Sequence, residues 1–349
     1  MGIVKYYKSW IQIACLCCLF LPIPTFSWNA VGHRIIAQIA YDQLMPRTIR
    51  ILNQYNRVVN QVYPTQNWMS AAVWLDTVRH QNINTYSAMH YIDLDFTEDG
   101  SPLLPKSKVN AITAIEQSTQ TLQQPNPSIY QKGIAFRILL HVVGDIHQPL
   151  HATSRVSQRY PEGDRGGNLV ELSQNPVAKN LHAYWDNGGG YLKCQPQHNR
   201  HHKRRKKNNT FAAFGLTATW KKSISPKDQK KCNLKQIARQ LEQEYPCNTL
   251  ATTTNPSQWA DESHELGVRA YQWLYQNNPD DAYQAETIKV VKKRIALAGC
   301  RLGALLNHVV ISAIPAVKTH AQHEHPLPTS GEGKPLPVSV FTARIALVS

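Results

Sequence analysis

Histidine and aspartate recur in this chain at spacings that a helix turns into a single face. His141-Val-Val-Gly-Asp145 sets an imidazole and a carboxylate four residues apart, one helical turn, so both project the same way. Pro149-Leu150-His151 brings a third donor just past the end of that helix, and His182-Ala-Tyr-Trp-Asp186 repeats the spacing on a second one. Upstream stand Trp74-Leu75-Asp76 and Met89-His90-Tyr91-Ile92-Asp93, with His33 earlier still. Neutral imidazoles and carboxylates together suit Zn²⁺, and a set rich in both can hold several ions. Each fragment alone is a weak signal. Asp145 is the strongest, because it closes the apolar run Leu139-Leu140-His141-Val142-Val143-Gly144. A buried, unpaired carboxylate is costly, so the fold should supply a cation there.

The elements that must position these donors are helices. From Ala30 to Tyr55 apolar residues recur at helical spacing (Ile35, Ile36, Ile39, Ala40, Leu44, Ile49, Leu52), and similar patterns return over 66–80, 107–122, 130–147, 178–187, 234–245, 256–276 and 283–311. Strand signals are sparse. A small hairpin is expected over 159–173, where Pro161-Glu162-Gly163-Asp164 and Gly166-Gly167 mark turns. No internal repeat is present. The expected fold class is mainly α, a single large helical domain over 28–314 with that hairpin and one basic insertion.

Composition agrees and places the charge. The chain has 349 residues, 42% of them hydrophobic and 17% charged, which excludes global disorder. The net charge of +15 is local rather than general. Residues 193–235 carry thirteen Lys and Arg against one acid, Asp228, leaving the remainder close to neutral. Such a run could attract polyanions or sit in solvent with no partner. The sequon Asn208-Asn209-Thr210 lies within it. Residues 315–349, rich in Pro, Gly, Ser and Thr, read as a poorly ordered tail.

The first 27 residues read as a signal peptide. Lys5 and Lys8 precede the apolar run Trp10–Leu21, and the small residues Thr25 and Ser27 place a cut after Ser27, leaving Trp28 first. The product is then exported, to a periplasm or beyond, as a monomer with no stable membrane association. Four cysteines remain, Cys194, Cys232, Cys247 and Cys300, which in an exported chain read as two disulfides with three possible pairings. Cys194–Cys232, tying off the basic loop, with Cys247–Cys300 is the pairing expected.

Six stretches carry a resemblance: Trp28-Asn-Ala-Val-Gly-His33, Trp74-Leu-Asp76-Thr-Val-Arg79, His90-Tyr-Ile-Asp93, His141-Val-Val-Gly-Asp145-Ile-His-Gln-Pro-Leu-His151, Gly166-Gly-Asn168 and Leu181-His182-Ala-Tyr-Trp-Asp186. From Trp28 to about Val310 the chain resembles the zinc-dependent single-strand nucleases of the fungal S-one/P-one type and their plant bifunctional relatives, with the fold they share with zinc phospholipase C. The resemblance implies three zinc ions. Asp76, His90 and His141 with Asp145 would hold one. Asp145 would bridge to a second, held also by His33 and by the freed amine and carbonyl of Trp28. His151, His182 and Asp186 would hold the third.

The resemblance further implies hydrolysis of single-stranded DNA and RNA to 5′-mononucleotides by metal-hydroxide attack on the phosphodiester, with 3′-nucleotidase activity on 3′-nucleotides. Asp76 and Asp145 would then be catalytic as well as ligands, and Arg79 would donate hydrogen bonds to the phosphoryl oxygens. Tyr91 would stack on an unpaired base, Asp93 would bond its edge, and Asn168 would lie near the scissile phosphate. A base gripped this way has left its stack, which favours single strands. His147 has no ligand role in that pattern and is expected beside the site or on the surface. The alternative is a zinc-dependent phospholipase C, whose last ligand is typically Glu where this chain has Asp186; Arg79 and Asp93 also favour the nuclease. A non-catalytic polyanion binder built on the 193–235 run is a third reading, and the complete ligand set argues against it.

Overall fold

The computed structural model describes residues 28–193, 195–196, 231–250 and 254–313. The expected signal peptide, most of the basic insertion with its sequon at Asn208, Cys194 and the tail over 315–349 lie outside them.

Side-chain caps start most of the helices. Helix α1 (Ala30–Asp42) begins at Asn29, whose side chain accepts from the Val31 and Gly32 N–H groups. The apolar rhythm from Ala30 to Tyr55 does not make one helix. Pro46 has no N–H to donate, so it takes the first turn of a new helix, α2 (Pro46–Val59). The pattern over 66–80 divides likewise into α3 (Trp68–Ala71) and α4 (Trp74–His80). Capping boxes at Asn110 and Ser128 open α5 (Ala111–Gln123) and α6 (Ile129–Asp145). Then follow α7 (Leu181–Asp186), α8 (Leu234–Glu244), α9 (Cys247–Leu250), α10 (Pro256–Gln272) and α11 (Asp281–Ser312).

Helix α6 runs through the middle, buried without interruption from Ala135 to Asp145, with α2, α5 and α11 packed on it. Helix α11 lies along α1 at close range. A Cβ on Gly299 would come within 2.6 Å of Ile39, so only glycine permits this approach. Helix α11 is long and apolar enough to cross a membrane by length and composition, but 72% of its most apolar stretch is buried inside the fold. The disulfide Cys247–Cys300 fastens α9 to α11, as expected.

Strand content is small and differs from expectation. Strands β1 (Asp95–Phe96) and β2 (Ser154–Arg155) pair in parallel. Gln195–Pro196 pair in parallel with Lys231–Cys232 across the base of the insertion. Over 159–173 there is no hairpin ladder, only the isolated antiparallel bridges Ser157–Tyr160 and Glu171–Asn180. The reason is conformational: Gly163, Arg165, Gly166 and Gly167 all take positive φ (77°, 57°, 61° and 81°), which coils the chain instead of extending it. The Asp164 carboxylate gathers the coil, with one oxygen accepting from Arg155 N, Gly167 N and Tyr271 Oη at 3.1, 3.0 and 2.9 Å.

Candidate metal centre

Six elements deliver the predicted donors to one interior region. Helix α6 presents His141 and Asp145 one turn apart, α1 brings His33, and α4 brings Asp76. A 3₁₀ turn over Asn84–His90 ends in His90, and another over Pro149–His151 ends in His151. Helix α7 supplies His182 and Asp186. Their ligand atoms form three groups, each within 4.8 Å: His33, His141 and Asp145; Asp76, His90 and His141; and His151, His182 and Asp186. Asp145 spans the first two. One of its oxygens lies 3.2 Å from His33 Nε2, and the other lies 3.0 Å from His90 Nδ1 and 3.3 Å from His141 Nε2.

Backbone carbonyls aim the imidazoles. His141, His151 and His182 direct Nδ1 at the carbonyls of Ala72, His90 and Gly166, at 2.7, 2.6 and 2.7 Å. Each Nδ1 therefore carries a proton and turns Nε2 to the interior. At His141 burial opposes the charged form, but Asp145 and Asp76 prevail and raise the ring to about 9, so a metal would have to displace its second proton. His151 Nε2 and His182 Nε2 face each other at 3.2 Å, and His141 Nε2 faces His90 Nδ1 at 3.1 Å. Both Asp145 oxygens, and one oxygen of Asp76, are buried without a hydrogen bond. Imidazole nitrogens this close to one another and to buried carboxylate oxygens make an N/O donor set that suits Zn²⁺.

Titration behaviour carries the same signature. Burial alone would raise the carboxyls of Asp76 and Asp145, but His141 and its histidine neighbours hold Asp76 at about 2 and Asp145 well below the carboxylate range. Burial pushes Asp186 well above that range, against the hydrogen bond from Gln148, with the charges of Asp76 and Asp145 adding to the rise. Asp186 therefore cannot keep its charge in this setting without a nearby cation.

The remaining predicted residues sit around this core. Trp28 is fully buried, its indole donates to the Gly144 carbonyl at 2.9 Å, and the next amide, Asn29 N, donates to the Asp186 carbonyl at 3.1 Å. The start of the predicted mature chain thus lies against Asp186 of the third group and against Gly144, the neighbour of Asp145. Arg79, one turn beyond Asp76, is half-buried and close enough to Tyr91 to act on its charge, as are Asp93 and Arg165. The Asp93 carboxyl is pushed up to about 6 by the low-dielectric wall beside it, with Asp95 and Asp164 adding like charge. Asn168 spends its amide on the Arg165 carbonyl at 2.7 Å, closing the turn whose Gly166 carbonyl orients His182.

Two features had no place in the sequence reading, and a third, His147, was expected beside the site or on the surface. Gln148 donates to Asp186 at 2.7 Å and accepts from Leu150 N at 2.6 Å, tying the two ends of the third group together. Its place between Asp145 and His151 was the available clue. Asp164 and Arg165 shape the turn beside His182, and only their glycine neighbours hinted at it. His147 is fully buried; it faces Arg301 at 3.1 Å and the Val143 carbonyl at 2.7 Å.

A helical protein with three contiguous histidine–aspartate groups has the donor set of a metal-binding protein, and comparison with known proteins narrows this. Residues 28–311 match the S1/P1 Nuclease family, and the chain belongs to that family. It is 26% identical over 185 residues to Nuclease S1 of Aspergillus oryzae, covering 48% of this chain and 58% of that protein. Against Nuclease P1 of Penicillium citrinum the identity is 27% over 168 residues, 46% of this chain and 57% of the relative. The chain thus spans little more than half the length of these fungal relatives. Endonuclease 2 of Arabidopsis thaliana aligns over 304 residues at 24% identity, 81% of this chain and 90% of the relative. The phospholipase C alternative is not favoured by these matches.

Proposed function

We propose that the protein is an exported, zinc-dependent endonuclease that hydrolyses single-stranded DNA and RNA to 5′-mononucleotides and also acts on 3′-nucleotides. The observation that carries this reading is the set of three histidine–aspartate groups, two sharing His141 and spanned by Asp145. Three zinc ions would occupy them: one on Asp76, His90, His141 and Asp145, one on Asp145, His33 and Trp28, and one on His151, His182 and Asp186. When bound, zinc supplies the Lewis acidity that lowers the pKa of water and neutralises phosphoryl charge.

The chain's own residues do the rest. Asp145, with one oxygen toward each of two groups, fixes their separation. Arg79 donates to the phosphoryl oxygens as their charge builds. The Tyr91 ring offers a stacking face and Asp93 accepts from the base edge, so the substrate must present an unpaired base. Asn168 keeps the 165–168 turn closed and His182 in orientation. A cut after Ser27 would free the Trp28 amine as a ligand, which no internal amide could be.

The test compares zinc-loaded protein on single-stranded DNA, duplex DNA and phosphatidylcholine. Rapid turnover of the single strand, slow turnover of the duplex and none of the lipid is expected; lipid turnover without DNA turnover overturns the reading.

A further inference from the structure

A cavity of about 240 Å³ opens between one face of α2 and the chain entering α3, and Asn53, Asn56, Arg57, Asn60, Gln66 and Trp68 contribute to its wall. No carboxylate lines it. The asparagine oxygens are all engaged elsewhere. Asn53 Oδ1 accepts from Trp68 Nε1 at 2.6 Å and Asn56 Oδ1 from Arg137 Nε at 2.9 Å. Asn60 Oδ1 accepts from Arg137 at 2.5 Å and from Thr65 N at 3.0 Å. With each oxygen committed, the amide N–H groups are what remain, and they make no hydrogen bond among the described residues. Asn56 is only 6% exposed, so its free donors are presented to the cavity rather than to open solvent.

Behind this wall lies a cation with no anionic partner among the described residues. Arg137 is fully buried, and its partners are two asparagine oxygens, the Tyr63 carbonyl and the Thr65 hydroxyl, all neutral. Its charge polarises the amides it bonds, making their outward N–H groups stronger donors. Arg57 adds a second positive charge at the rim. A buried, unbalanced cation behind a wall of donors is complementary to a ligand that is all acceptor and negative.

We propose that this cavity is a second binding site, separate from the metal centre, for the oxygens of a phosphate group. The occupant is either free phosphate or a phosphodiester of a bound strand, since both offer the same oxygens. The donor set is complete without the metal groups, so the site stands whether or not the nuclease reading does.

The experiment measures equilibrium binding of labelled inorganic phosphate to the zinc-loaded full chain and to its Arg57→Glu and Gln66→Glu variants. Both positions are exposed and neither touches the metal ligands, so melting temperature and zinc content should not move. Phosphate drawn to the metal centre binds all three proteins alike. The wild type is expected to show one further class of site, weakened at least about tenfold in each variant by the like charge placed at its rim. Superimposable isotherms for all three proteins overturn the proposal. The source is read from kinetics on the same variants: a rise in KM for a long oligothymidylate but not for a dinucleotide assigns the cavity to strand phosphate. Unchanged KM for both, with the isotherm shifted, assigns it to free phosphate.

Discussion

Two clusters of buried charge flank the end of α6, and they are built on opposite principles. Around His147, the Glu262 carboxylate accepts from Arg294 at 2.9 Å and from both nitrogens of the Arg301 fork at 2.7 Å. Arg294 also donates to the His147 carbonyl, and the neutral His147 ring spends one nitrogen on Val143 and the other on Arg301. The protein has supplied its own countercharge. Two residues earlier, Asp145 has only imidazoles around its buried oxygens, His33 at 3.2 Å, His90 at 3.0 Å and His141 at 3.3 Å, with no Arg or Lys among these contacts. The first cluster is complete as polypeptide; the second is complete only with cations. Buried charge therefore marks a functional centre where its own countercharge is missing.

Removing metal should break the second cluster and spare the first. Chelation is expected to abolish hydrolysis and to lower the melting temperature by more than about 20 °C, since three ligands held a thousandfold above their dissociation constants contribute about 4 kcal/mol each. Calorimetry with and without chelator checks this; an unchanged melting temperature would mean the donors tolerate one another without ions. Glu262→Ala should do the reverse, leaving two buried guanidinium groups unpaired. Because the Glu262 side chain is 39% exposed, the expected cost is moderate, about 2 kcal/mol, with zinc content unaltered. Loss of zinc in that variant would show the clusters to be coupled rather than independent.

Gln148→Ala probes the seam between the principles, because Gln148 donates to the Asp186 carboxylate at 2.7 Å. Its removal should weaken the third ion about 10- to 100-fold in chelator competition while leaving the other two in place. The smallest effect is expected at Asp93. Its folded pKa of about 6 lies above the unfolded value, so the folded protein holds that proton more tightly and loses this stabilisation as pH rises through 6. The ionised form, present above pH 6, is the one that accepts from a base edge. KM for a dinucleotide should therefore fall as pH rises through about 6, and Asp93→Asn should flatten that dependence. Identical profiles would remove Asp93 from base recognition.

Much of the metal centre was legible because its spacing is local. His-x3-Asp on α6 and again on α7 states a shared face, and Asp145 in an apolar run states a need for a cation. The helices were legible from their period, though Pro46 divided what the period alone would join. What could not be read depended on distant partners or on backbone conformation. Gln148 matters through Asp186, 38 residues away, and Asp164 through Tyr271, 107 residues away. The expected hairpin failed because Arg165, a residue with no intrinsic preference for positive φ, adopts φ 57° between Asp164 and Gly166 and coils the segment. His147 could not be assigned to the closed cluster because Glu262, Arg294 and Arg301 reach it from α10 and α11.

The central claim is that the histidine–aspartate groups form one cage for several ions, completed by the chain end at Trp28. It is tested most directly by locating zinc through anomalous scattering in crystals of protein whose first residue has been sequenced. The account predicts Trp28 as that residue and three zinc peaks, one in each group. Zinc absent from these groups, or all three sites filled in protein that still carries residues before Trp28, would contradict it.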